Sequence, residues 1–203
     1  ASFSDAPSVT VCGTTAAVQR LEDGRLFVCV RYGSDDGRLE GILPETLPFR
    51  DVSRRAWYFE SVAYAYRQGL MSGTGPTEFE PDTATSRAML VQVLYRLAGQ
   101  PAAAGSDFSD VGDGVWYADA VSWAAAAQIV NGYGNGRFGP DDPVTREQTA
   151  AILYRYAAWY DLAGDGEAPL SGYPDAGTVS SWARSAMGWA VGAGYLTGSA
   201  EDG

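Results

Sequence analysis

The stretch FRDVSRRAWYFESVAYAYRQGLMSG, residues 49–73, is written a second time as FSDVGDGVWYADAVSWAAAAQIVNG, residues 108–132. Phe, Asp, Trp, Tyr and Gly hold matching places in both, always 59 positions apart, from Phe49 and Phe108 to Gly73 and Gly132. Outward from there the register runs on without insertion. Phe79, Pro81, Asp82, Arg87, Tyr95 and Arg96 return as Phe138, Pro140, Asp141, Arg146, Tyr154 and Arg155. A third copy opens at Tyr173, Asp175, Trp182 and Gly198, 65 or 66 positions beyond the second. Self-similarity at this period means one supersecondary unit stacked on copies of itself, each burying its apolar face against a neighbour. Such arrays offer equivalent grooves between units, which is the geometry of a binding surface.

Each unit reads as helix, long loop, helix. Phe59, Val62, Ala63 and Tyr66 follow the i, i+3, i+4, i+7 spacing of one helix face, and Gly69 supplies a left-handed stop. Gly73, Gly75, Pro76 and Pro81 mark the loop, and a second helix starts near Ser86 with Leu90, Val93, Leu94 and Leu97 as its buried stripe. The second unit repeats the plan through Val121 and Ala125, then Thr149, Ile152, Leu153 and Tyr156. The spacing predicts helices over 57–68, 86–98, 116–128 and 145–159, and one from Trp182 to Val191 in the third unit. By the same register the third loop Phe falls past Gly203, so that unit is read as its first half. The bare side of its helix, with Met187 and Val191, is expected to be covered by residues 1–43, by a partner chain or by further sequence completing repeat 3.

Residues 1–43 read differently. Val9–Val11, Ala17–Leu21 and above all Arg25–Arg31 carry strand patterning, with Asp23-Gly24 as a hairpin signal. They form a small β appendage or the tail of an upstream domain, joined through Gly41–Pro48. The divisions are therefore 1–43, then repeats over 44–104 and 105–168, then a partial repeat over 169–203. Cys12 and Cys29 both fall in the appendage, either as a disulfide or as two buried thiols.

Composition narrows the chemistry. The 203 residues include 14 basic side chains, all Arg, and no His. That removes a His base, a Lys Schiff base and His metal ligation. A net charge of −11 argues against nucleic-acid and anionic-membrane partners. No apolar run reaches the length of a membrane-spanning helix and no signal peptide is visible, so the sequence reads as a mature or excised fragment and the missing signal says little about destination. Gly134-Asn-Gly136 with Asp141 and Asp142 lacks the alternating oxygen ligands of a calcium loop, so neither metal nor cofactor is expected.

The candidate site starts from Pro143-Val-Thr-Arg-Glu-Gln148. Thr145 with Gln148 makes a capping box and places Arg146 at the first helical position, as Ser86 places Arg87. A cation there opposes the helix dipole and calls for a negative partner. That partner is an internal carboxylate, with Asp51, Asp110 and Asp175 as candidates, or an anionic ligand. On physics alone the internal salt bridge is favoured. Trp57, Trp116 and Trp182 follow each Asp by six or seven positions, as core aromatics or as sugar-stacking platforms. Gly73, Gly132 and Gly198 are loop turns or points of close ligand approach.

Taken together, Phe-x-Asp-Val, Trp, Gly-Leu-Met-x-Gly, Phe-x-Pro-Asp and a Thr-Arg-led helix resemble the S-layer homology domain. The resemblance covers roughly residues 48–203 as two complete repeats and the first half of a third. It implies a mainly α fold of tandem helix-loop-helix repeats in a pseudo-threefold helical bundle. It also implies a non-catalytic module that anchors exported bacterial proteins to an anionic, often pyruvylated, secondary cell-wall polysaccharide. The family's motif arginine, which meets the acidic group, maps onto Arg87 and Arg146. Repeat one departs from the motif with Met89, and repeat two has Gln148 in that place. Two other readings of the scaffold are an anchoring part of a larger exported hydrolase, and a protein–protein assembly module.

Overall fold

Every helix among the described residues ends the same way, and the residue after its cap explains why. The computed structural model describes residues 9–11, 14–20, 26–29, 47–103, 105, 107–164 and 166–198. Its helices are α1 (Phe59–Arg67), α2 (Arg87–Leu97), α3 (Ala118–Ala126), α4 (Arg146–Trp159) and α5 (Arg184–Gly192). After α1, Gly69 takes φ 68°. Its N–H then reaches the Tyr66 carbonyl and that of Leu70 reaches Ala65, at 3.0 and 2.8 Å. This is the paired bonding of a Schellman motif. Gly99 and Gly194 do the same after α2 and α5, with φ 79° and 75°. Gln128 and Asp161 do it after α3 and α4 without the freedom of glycine, both at φ 56°.

The first helices start two residues later than the spacing predicts, because Trp57-Tyr58 and Trp116-Tyr117 lie in the turn before them. The second helices start where expected. Ser86 Oγ accepts the Met89 N–H, while Thr145 and Gln148 make the full reciprocal box. The stripe of α2 is rotated from the expected one. Ala88, Val91, Leu94 and Tyr95 are buried, Leu90 and Val93 partly so, and Leu97 is exposed. The rotation follows from the neighbour: α2 packs on α3 of the next repeat, and α4 packs on α5 in the same way. Second helix on following first helix is thus the unit of assembly. The main core lies at the first junction, where Val91, Leu94 and Tyr95 meet Val121, Trp123 and Ile129, and Phe138 and Ile152 close it. A second cluster joins Ala150 and Ala157 to Trp189 and Ala190, and a smaller one holds Phe49, Val52, Phe59 and Val62.

Ahead of the repeats the backbones of β1 (Val9–Val11), β2 (Thr14–Arg20) and β3 (Leu26–Cys29) pair antiparallel in the order β1-β2-β3. The Asp23-Gly24 turn and Cys12 of the Cys12/Cys29 pair lie outside the described residues. Among the described residues no helix is long and apolar enough to cross a membrane.

Candidate functional site

The repeat Asp organises the loop rather than an arginine. Asp51 accepts the N–H groups of Phe79 and Glu80, at 3.0 and 2.6 Å, and Asp110 accepts those of Phe138 and Gly139, both at 2.8 Å. The amides of Glu80 and Phe79 hold the Asp51 carboxyl below its ordinary value. Burial pushes the Asp110 carboxyl up, but the amides of Phe138 and Gly139, with Arg137 beside it, outweigh that and lower it. Asp51 and Asp110 are therefore loop clamps. Among the described residues neither carboxylate lies within ion-pair distance of Arg87 or Arg146; each accepts two main-chain amides, and Asp110 also meets Arg137. Asp175 instead lines a cleft with Arg146.

The two helix-start arginines part company. Arg87 is 5% exposed. Its Nε donates to the Phe138 carbonyl at 2.9 Å and Nη2 to the Asn131 carbonyl at 3.0 Å. The rings of Tyr133 and Phe138 lie 4.9 and 4.7 Å from its guanidinium carbon. The first two helical N–H groups are also taken, Arg87 N–H by Asp142 and Ala88 N–H by Pro140, each at 3.0 Å. Burial lowers the Arg87 pKa, opposed by Tyr133, Asp142 and Asp110. In Arg87, expected as a ligand residue, both the cation and the helix start are spent on the second repeat's loop. Arg146 is exposed, and its Nη2 donates to the Thr197 carbonyl at 2.6 Å. Thr197 holds in the third unit the place of Asn131 in the second. Beside it, Glu147 accepts both the N–H and the hydroxyl of Ser180, at 3.0 and 2.9 Å.

Two clefts follow the repeat boundaries. One, of about 510 Å³, is lined by Gly73, Phe79, Gln92 and Arg96 of the first repeat and Trp116 of the second. The other, of about 420 Å³, joins Arg146 to Asp175, Met187, Val191 and Gly198. The core reading of the tryptophans is overturned, since Trp57, Trp116 and Trp182 are 92%, 59% and 56% exposed. Trp116 enters the first cleft; Trp182, in the 3-10 turn Ser181–Ala183, does not line the Arg146 cleft, and Trp57 lines neither. The repeat glycines are needed internally. A Cβ on Gly73 would come 2.5 Å from the Phe49 ring, and one on Gly132 2.6 Å from the Phe108 ring. Arg96, which the sequence reading does not single out, also lines the first cleft, and its recurrence as Arg155 is the signal that could have drawn attention to it. Among the described residues no His, Cys, Asp or Glu cluster could hold a metal ion.

Arginines at repeat junctions, loops clamped by a repeat Asp and clefts shared between units define a tandem-repeat α-helical module with clefts between its copies. Residues 48–88 and 107–150 match the S-layer homology domain, and these two repeats belong to that family. It is 31% identical to a surface-layer 125 kDa protein of Lysinibacillus sphaericus, over 71% of this chain and 12% of that protein. It is 26% identical to exoglucanase XynX of Acetivibrio thermocellus, over 80% of this chain and 15% of that one. A cellulosome-anchoring protein of Acetivibrio thermocellus is 26% identical over 59% of this chain and 28% of its own length. The chain thus spans only a small share of the curated relatives it matches.

Proposed function

We propose that this chain is a non-catalytic anchoring module that holds an exported bacterial protein at the cell surface by binding an anionic wall polysaccharide between its repeats. The carrying observation is that both clefts are assembled from two successive repeats and hold arginine, in a chain of net charge −11. Trp116 offers an aromatic face in the first, and Arg146, with Asp175 and Gly198, lies open in the second. Aromatic faces and planar guanidinium forks are what recognition of an acidic sugar requires. Relatives named as a glucanase, a surface-layer protein and an anchoring protein share this region as a minor part of very different chains, which supports a tether rather than a catalyst.

Co-sedimentation with purified wall polysaccharide, before and after its acidic substituents are removed, tests the proposal. A charge-assisted contact is worth roughly 1.5–3 kcal/mol, so Arg146→Ala is expected to weaken binding about ten- to a hundredfold, with Arg146→Lys recovering part of it. Binding that survives removal of the acidic groups unchanged overturns the anionic reading.

A further inference from the structure

We infer that Arg96 is the cation that recognises the acidic sugar in the first cleft, in place of the helix-start Arg87. The inference rests on the glycan reading above and adds the residue that confers its charge specificity. Arg87 is sealed by two carbonyls, two aromatic rings and its own burial, and no ligand oxygen reaches it without dismantling the first junction. Arg96 sits two and a half turns further along α2, half-buried in the cleft wall. Its Nη1 donates to the Leu70 carbonyl at 3.1 Å. Its Nε donates to the Gln92 side-chain oxygen at 3.3 Å when that amide is turned to suit both neighbours, and the Gln92 amide nitrogen then donates to the Trp116 carbonyl at 3.2 Å. One hydrogen-bonded chain therefore fixes the guanidinium of the first repeat relative to the tryptophan of the second.

Nη2 is left over from these bonds. Among the described residues no carboxylate lies within ion-pair distance of Arg96, although the protein carries 25 acidic residues against 14 basic ones. An arginine held by two of its nitrogens in a cleft wall, with the third unspent, is preorganised for a carboxylate from outside. The Trp116 indole, packed edge-on against Tyr117 at 5.0 Å, stands at the same cleft to take a pyranose face. The ligand chemistry is thus a saccharide unit bearing a carboxylate, its ring against Trp116 and its charge on Arg96.

The test measures binding of parent and Arg96→Gln to purified wall polysaccharide, native and after carbodiimide–borohydride reduction of its carboxylates to alcohols. Arg96→Gln is expected to lower affinity for the native polymer about tenfold or more, and to leave affinity for the reduced polymer at the parent's value. Equal loss on both polymers overturns the inference, because a purely structural Arg96 would weaken the cleft for either. Unchanged affinity of Arg96→Gln for a native polymer that the parent binds through its carboxylates also overturns it and leaves the glycan reading standing. A parent that binds neither polymer removes the glycan reading itself.

Discussion

Asp110 shows how much of each repeat hangs on one side chain. Its two oxygens each take a loop N–H at 2.8 Å, and Arg137 Nε stands 3.5 Å away on the exposed side. Without it the amides of Phe138 and Gly139 lose their partners beneath a ring that is fully buried, which is the expensive kind of loss. Asp110→Asn is expected to cost about 1–3 kcal/mol at pH 7 by urea denaturation. Its folded-state pKa lies below the ordinary 3.8, so the stabilisation is complete above that value and is lost as pH falls through the folded value. The gap between parent and variant should therefore hold above the ordinary value of 3.8 and narrow as pH falls below it; a constant gap would mean that the charge is not what matters. In sequence the repeating Asp was legible as important but not as a loop clamp. The partners are main-chain amides 28 and 29 residues away, which no residue-type pattern displays. The same blindness hid the fate of Arg87, whose acceptors are likewise backbone carbonyls.

The helices were the easiest part to read, since their caps and stops are local chemistry. Thr145 with Gln148 and the turn at Gly69 are found where the sequence puts them. What local chemistry could not give was the buried stripe of α2, because the face is chosen by α3 of the next repeat. The Schellman ends also contain an unequal pair. Gln128 occupies the left-handed position at φ 56° that Gly69 occupies at φ 68°. A side chain there strains against its own backbone, and glycine does not. Gln128→Gly is expected to raise stability by roughly 0.5–1 kcal/mol in thermal or urea unfolding. A destabilised variant would show that the glutamine side chain contributes more than the backbone strain it brings.

Because a second helix always packs on the first helix of the following repeat, the array has a direction, and its first helices are not equivalent. Trp123 of α3 and Trp189 of α5, at matching positions, are 7% and 5% exposed. Tyr64 holds that position in α1 and is 51% exposed, with no comparable helix pairing made by α1 among the described residues. Trp123 touches both neighbouring second helices, its ring 5.6 Å from Tyr95 and 6.3 Å from Tyr156. Its truncation leaves a large void at the main core, where Trp→Ala changes cost about 3–5 kcal/mol. Tyr64→Ala removes an outward ring and is expected to change stability by no more than about 1 kcal/mol. The repeat sequence alone, with aromatic residues at all three positions, predicts similar losses for both. Urea denaturation of the two single variants decides between them. Comparable destabilisation would mean that α1 is covered as fully as α3, and the directional account of the array would fall.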